Sequence, residues 1–265
     1  TEKINELKSK FENEANKKAA ADVDVTLPGY PFEIGGRHPI DAVRDELVDI
    51  FARIGFDIAE GSEVIDEWTN FTALNMPEDH PARDMQDTFF VKNMDGYVLR
   101  THTSGVQVKV MQNQKPPIRT ISPGMVFRKD NDATHSPFFH QVEGLYVAEN
   151  VSFADLKQTL FYFVNEMFGE GTEFRLRPSY FPFTEPSAEM DIEWNKNGEK
   201  SWMEILGCGM VDPSVLENCG IDSTKYTGYA FGIGVERIAM LKYGIHDIRT
   251  FYENDIRFLR QFKAV

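Results

Sequence analysis

Apolar positions along the chain fall into two rhythms. Ile40, Val43, Leu47, Phe51 and Ile54 recur at helical spacing behind Pro39, which suits a first helical turn because its missing N–H would find no partner there. This predicts one amphipathic helix. Leu156, Leu160, Val164 and Met167 form a second stripe, opened by Ser152 as N-cap with Asp155 three residues on, and ended by Gly169. Elsewhere the segments read as strands: GMVFRKD (124–130), FFHQVEGLYVAE (138–149), TEFRLRP (172–178), AEMDIEW (188–194) and SWMEILG (201–207). Asn197-Gly198 joins the last two and accepts the positive φ of a tight hairpin turn. Strands joined mainly by hairpins, with few helices between, exclude repeated βαβ units and predict an α+β fold, a mainly antiparallel sheet flanked by helices. Residues 1–20, apolar only at Ile4, Leu7, Phe11 and a few alanines, read as the remnant of a helical arm or linker, which leaves 21–265 as the main domain.

Composition narrows the class. With 265 residues, 42% of them hydrophobic and 21 of them Phe, the chain can bury a sizeable core. Its 42 acidic against 28 basic residues leave a net charge of −14, a field that repels polyanions, so a nucleic-acid partner needs a local basic site or another subunit. Cys208 and Cys219 form no CxxC pair and are too sparse for a disulfide scaffold, which suits reduced thiols. No apolar run approaches the roughly 20 residues a membrane helix needs, and the opening TEKINELKSKFENEANKK holds no signal-peptide core. A soluble, cytoplasmic protein without a membrane partner is the expectation.

Chemistry concentrates around residues 127–145. Alternation along the 138–149 strand puts Phe139, Gln141, Glu143, Leu145 and Val147 on one face, so an amide and a carboxylate stand two residues apart on a sheet surface. Glu143 suits an ammonium, Gln141 a hydrogen bond to the same ligand, and Arg128, ending the preceding strand, a phosphate or carboxylate. Taken alone, a solvated hairpin with cross-strand charge pairs explains these residues as well. GYAFGIGVERIAMLKYGI (228–245) shifts the balance. Arg237 occupies the third glycine position of a dinucleotide loop and no βαβ unit surrounds it, which excludes a Rossmann site. Gly232 and Gly234 instead let a ligand approach closely, and the helix they open carries Arg237 in its first turns; pairing of Arg237 with Glu236 or another acid is the plain alternative.

RDMQDTF, LRTHTSGVQV, DATHSPFFHQVEGL, RPSYFPFTEPSAE, GCGMVDP and GYAFGIGVERIAML occur here in one order. They resemble the class II aminoacyl-tRNA synthetases, and within them the catalytic α subunits of bacterial phenylalanyl enzymes, over residues 24–263; the three class motifs correspond to 31–54, 124–145 and 232–237. The resemblance implies activation of phenylalanine by ATP to phenylalanyl-adenylate, then transfer to tRNA(Phe). It implies Arg128 and Arg237 as catalytic arginines on ATP, with His135 and Glu204 beside the nucleotide. It places the amino acid's ammonium among His102, Ser104, Gln141 and Glu143, with Gln107 nearby; taken alone, His102 and Ser104 would be a polar strand end. Phe181 and Phe183 would wall a slot for the phenyl ring, Ala230 and Gly232 would floor it, and Glu185 would ligate Mg²⁺. A β subunit in an α2β2 heterotetramer and self-association through motif 1 are further implications. So is an N-terminal coiled-coil arm, of which some twenty residues precede the catalytic part here, so that this chain by itself is expected to form adenylate but to charge tRNA poorly. After RDM, where some relatives have tryptophan, this chain has Gln86. Two alternatives stay open at this point: a class II ligase or paralogue for another amino acid or acceptor, of histidine or pyrrolysine type for example, and a subunit that binds an amino acid without activating it.

Overall fold

The computed structural model describes residues 2–21, 26, 29, 35–77, 88–129, 135–196 and 199–262. The chain divides into two compact units, residues 1–36 with 263–265, and residues 37–262. In the first, helix α1 (Glu2–Ala21) leaves Ile4, Leu7 and Phe11 exposed.

The second unit runs α2 (Pro39–Arg53), β1 (Asp57–Ile58), β2 (Val64–Asp66), α3 (Glu67–Asn70), β3 (Tyr97–Leu99), α4 (Ser104–Asn113), β4 (Ile118–Phe127), β5 (Phe138–Ala148) and α5 (Phe153–Phe168). It continues with β6 (Phe174–Phe181), β7 (Thr184–Lys196), β8 (Glu199–Val211), α6 (Pro213–Asn218), β9 (Thr227–Gly234), α7 (Val235–Tyr243) and α8 (Ile256–Leu259). Both helices expected from apolar spacing form. The His38 ring accepts the Ile40 N–H at the start of α2, Pro39 opens the first turn, and Ile40, Val43, Leu47, Ile50 and Phe51 are buried. Ile54, expected as the end of that stripe, is instead the C-cap, half-buried. In α5 the Ser152 hydroxyl and the Asp155 carboxylate cap each other's backbone reciprocally, and Gly169 closes the helix at φ +95°.

Seven strands form one sheet in the order β1-β4-β5-β9-β8-β7-β6, antiparallel throughout except for the short parallel β1–β4 pair; β2 and β3 make a separate two-stranded sheet. The expected strands are present, all longer than expected except β5, which ends one residue early at Ala148. Asn197-Gly198 lies outside the described residues, and Lys196 paired with Glu199 closes the β7–β8 hairpin around it. Three expectations need correction. Arg128 sits one residue beyond the end of β4. THTSG is no strand end, because Ser104 starts α4. GYAFGIG, not among the expected strands, is strand β9, which lies in the interior of the sheet between β5 and β8 and leads into α7.

One face of the sheet is closed by α2, α5 and α7. Phe231 lies across Gly144, where an added Cβ would stand 2.1 Å from its ring, and Phe51 of α2 packs on Phe231 with ring centroids 4.8 Å apart. Val142, Ile233, Leu206 and Met190 line the same core. The opposite face is covered over part of its area by a second cluster, in which Phe71, Leu74 and Met76, Val108 and Met111 of α4, and Val215 and Leu216 of α6 pack against Leu145 and Val147. The candidate site residues Gln141, Glu143, Ala230 and Gly232 stand on that second face.

Candidate active site

Register explains the shape of the site. Across the sheet Ser122, Glu143, Gly232, Gly207 and Glu189 lie opposite one another, and the next row reads Thr120, Leu145, Ala230, Gly209 and Ser187. The middle of both rows is glycine and alanine, so the sheet carries a trough with almost no side chains along its floor. Its glycines are there for space: a Cβ on Gly207 would stand 2.7 Å from Phe181 Cζ, and one on Gly232 would meet Glu143 Cγ at 3.3 Å.

One wall is polar and buried. Glu143 Oε1 accepts the Thr103 N–H at 3.2 Å, and Oε2 accepts the Ser104 hydroxyl at 2.5 Å and the Gln107 amide at 3.0 Å. Thr103 makes no side-chain cap at the start of α4, so the Glu143 carboxylate, reaching across from β5, serves the orphan donors and positive dipole end of that helix. Burial pushes the Glu143 carboxyl above its ordinary range, opposed by the bonds from Ser104 and Thr103 and by the charge of Arg128. His102 is buried beside it, and its pKa falls to about 3, through burial first and then the positive charge of Arg128. The Asn70 carbonyl pulls the other way, yet neither ring nitrogen makes a hydrogen bond of good geometry among the described residues. Gln141 Oε1, Thr120 Oγ1 and Ser122 Oγ are likewise buried without a partner there. Each such atom costs about 1–3 kcal/mol, so their convergence marks a surface shaped to meet a polar ligand.

The other wall is aromatic. Phe181 and Phe183 stack at 5.9 Å with ring planes 9° apart, and Phe183 faces His102 at 6.1 Å. Asn75, left-handed at φ 63°, donates its amide to the Pro182 carbonyl at 2.8 Å and so holds the turn that carries both rings.

Cations stand at one end of the trough. β4 and β9 both run antiparallel to β5, so Arg128 and Arg237 leave the sheet at the same end, on either side of β5. Arg128 Nε donates to the Thr101 carbonyl at 3.1 Å, with its guanidinium 5.1 Å from the centre of the Phe139 ring. Arg237 Nη1 donates to the Glu204 carboxylate at 3.1 Å and to the Glu204 carbonyl at 3.2 Å; it pairs with Glu204 rather than with its neighbour Glu236. His135 and Glu185 are exposed. Among the described residues no group of three or more His, Cys, Asp or Glu could hold a metal. Magnesium commonly takes only one or two carboxylates beside substrate phosphates and water, and the exposed Glu185 carboxylate fits that donor set.

A family profile described as "tRNA synthetases class II core domain (F)" matches residues 22–262. The chain is 59% identical to the phenylalanine–tRNA ligase alpha subunit of Parabacteroides distasonis, over 99% of this chain and 79% of that one, and 58% identical to that of Flavobacterium johnsoniae, over 99% and 80%. The chain belongs to the phenylalanine–tRNA ligase α subunits. A solved pyrrolysyl-tRNA synthetase from Desulfitobacterium hafniense matches with a TM-score of 0.62, over 81% of this chain and 73% of that one, at 16% identity; it shares the class II fold.

In this α subunit the structure adds residues that sequence reasoning missed. Arg100, buried ahead of His102, donates to the carbonyls of Met125 at 2.8 Å and Gly61 at 3.1 Å; a Cβ on Gly124 would stand 2.2 Å from its guanidinium, so the strand glycine was the available signal. Asn70 exchanges bonds with Thr101, giving 3.1 Å to the hydroxyl and 3.3 Å from the N–H, and steadies the same segment. Glu236 is buried and bonded to His140 and Tyr252; a carboxylate beside the apolar stripe of VERIAML was its trace. Residues 78–87, which include Gln86, and 130–134 of the motif 2 loop lie outside the described residues. No described helix is long and apolar enough to cross a membrane.

Proposed function

We propose that this α subunit activates phenylalanine with ATP and passes the phenylalanyl group to tRNA(Phe), with the trough as the amino-acid site. The carrying observation is the pairing of a wall of buried, unpartnered polar atoms with a stacked phenylalanine pair across a glycine floor. A zwitterion with a flat apolar side chain answers both walls. Its ring lies against Phe181 and Phe183 over Ala230 and Gly232, where aromatic contacts add to area burial. Its ammonium meets Ser104, Gln141 and the lone pair that the three existing donors leave on Glu143, with His102 neutral beside it.

The substrate carboxylate then points toward the end of the trough where the arginines emerge. An oxygen of that carboxylate attacks the α-phosphorus in line, the P–O bond to pyrophosphate breaks, and a mixed anhydride forms. Side chains contribute position and charge neutralisation more than covalent chemistry. Arg128 holds the α-phosphate with its planar fork, Arg237 grips the nucleotide from α7, and His135 stands by the leaving phosphates. Glu204, now the partner of Arg237, fixes that arginine's reach. Glu185 would hold Mg²⁺, which when bound would supply further neutralisation of phosphate charge. A ribose hydroxyl of tRNA next attacks the acyl carbon and releases AMP. The net charge of −14 favours a β subunit, in an α2β2 assembly in the cytoplasm, as the source of most tRNA contacts.

Exchange of pyrophosphate into ATP against a panel of amino acids tests this, on the chain with and without β. Phenylalanine alone should support fast exchange, and Arg128→Ala should lower it by several orders of magnitude. Phenylalanine binding with no exchange, or Arg128→Ala at the wild-type rate, overturns the reading.

A further inference from the structure

Strand β9 stops at Gly234, opposite Gln141, and the next backbone donor on its side of β5 is the His140 N–H. With no strand left to meet, that N–H donates to the carboxylate of Glu236, at 2.8 and 3.0 Å to the two oxygens. His140 Nδ1 reaches the same carboxylate at 2.8 Å, and the Tyr252 hydroxyl donates to it at 2.5 Å. The Glu236 side chain is 3% exposed. A buried anion is a costly way to fasten a helix unless its directional bonds are needed, since an apolar residue of like volume would pack there without desolvating charge.

Direction is what this helix end needs. Glu236 is the second residue of α7 and Arg237 the third. Arg237 is nearly half exposed, and among the described residues its side chain bonds only to Glu204, so its aim depends on how the first turn of α7 is seated. The seat also reaches α2. Next to Tyr252, the Phe251 carbonyl accepts from His38 Nε2 at 3.0 Å, while His38 Nδ1 accepts the Ile40 N–H that starts α2. The acceptor role of Nδ1 leaves the proton on Nε2. Lys242 near the end of α7 pairs with Glu46 of α2. One chain of bonds thus joins motif 1, motif 2 and motif 3.

We propose that Glu236, clasped by the His140 main chain and ring and by the Tyr252 hydroxyl, is the positioning residue that aims Arg237 at ATP. The proposal rests on the reading of Arg237 as a nucleotide ligand. Loosening the clasp changes how ATP is held, while the phenylalanine walls keep their own fastenings, Glu143 on the start of α4 and Asn75 on the β6–β7 turn.

The test uses the full-length α subunit assembled with β, as wild type, Tyr252→Phe and Glu236→Gln. KM for ATP and kcat are read from pyrophosphate exchange, phenylalanine affinity from isothermal titration, and Tm from calorimetry. Removing one hydroxyl in Tyr252→Phe should raise KM for ATP about threefold or more, and Glu236→Gln should lower kcat/KM for ATP about 10- to 100-fold, the scale of a misplaced catalytic group. Phenylalanine affinity should stay within about twofold in both, a split that a purely structural role would not produce. Unchanged ATP parameters in an active enzyme overturn this inference alone, as does a parallel fall of ATP use and phenylalanine affinity. A wild type inert in exchange overturns the functional reading and this inference with it.

Discussion

The two walls of the trough are held in opposite ways. The polar wall is over-determined: Glu143 takes three hydrogen bonds from the start of α4, Arg100 straps the adjoining segment to Met125 and Gly61, and Asn70 ties Thr101. In the aromatic wall the hydrogen bonds hold the main chain, from Asn75 to the Pro182 carbonyl, from the Asp212 N–H to the Phe183 carbonyl and from the Phe181 N–H to the Ser187 hydroxyl, and the rings themselves are set by stacking. The difference follows the two ends of the proposed ligand. An ammonium is recognised by directional bonds, whose cost of misalignment is steep, so its partners must be rigid before it arrives. A phenyl ring is recognised by contact area, which tolerates a few tenths of an ångström and punishes only lost or excess volume.

Breaking the rigid wall should have the largest effect. Glu143→Ala leaves the Thr103 N–H, the Ser104 hydroxyl and the Gln107 amide buried without their acceptor, a loss on the order of 3 kcal/mol or more. Urea denaturation should show the midpoint fall, and titration calorimetry should show phenylalanine binding lost. A variant as stable as wild type would mean that the wall is not built around this carboxylate.

Protonation attacks the same wall more gently. The native pKa of His102, about 3, lies below its ordinary value of 6.5, so between those values the unfolded chain binds the proton more readily. Stability contributed by a neutral His102 is therefore complete above about pH 6.5 and lost as pH falls toward 3. Each pH unit inside that window is worth about 1.4 kcal/mol, so moving from pH 6.5 to pH 5 should cost the wild type about 2 kcal/mol more than His102→Asn. Urea unfolding of both proteins at the two pH values checks the difference; parallel losses would place His102 in contact with water.

How far these walls were legible in the sequence follows the same division between local and long-range causes. α2 and α5 were readable because spacing, Pro39 and the Ser152–Asp155 pair act within a few residues. The face shared by Gln141 and Glu143 was readable because strand alternation is strict. α4 misled because Val106, Val108 and Val110 alternate like a strand, whereas the helix is buried on several sides and needs no polar face. β9 was hidden by its glycines, which depress strand propensity; at Gly228 and Gly232, Val147 and Glu143 on the neighbouring strand crowd the space a side chain would take. The partner of Arg237 stays open in the sequence, between Glu236 and another acid, because Glu204 comes from β8, 33 positions away, brought alongside by the β8–β9 pairing. Contacts of that kind belong to register, which no single segment announces.

Volume is the lever on the aromatic wall. Gly207→Ala places a methyl 2.7 Å from Phe181 Cζ, and a strand backbone does not yield, so the ring must swing. Overpacking of this kind costs about 1–3 kcal/mol, and it should appear as a roughly tenfold or greater rise in KM for phenylalanine with KM for ATP unchanged. Equal changes for both substrates would show that the strain spreads through β8 to the nucleotide end.

The smallest expected effect is a removal of volume at the floor. Ala230 stands between Leu145 and Gly209 in the sheet register and packs at the edge of the second core cluster, as does Phe183. Ala230→Gly deletes one methyl and loosens the strand backbone, together worth about 1–2 kcal/mol of stability, and deepens the slot by about that methyl. Tyrosine should still be refused, since its hydroxyl would be buried without a partner, but para-halogenated phenylalanines, which need room and no hydrogen bond, should be activated. Competition between phenylalanine and its para-chloro analogue in pyrophosphate exchange measures the change. Selectivity equal to that of wild type would mean that Phe183, and not the floor, sets the depth of the slot, and the aromatic wall would then be the more rigid of the two.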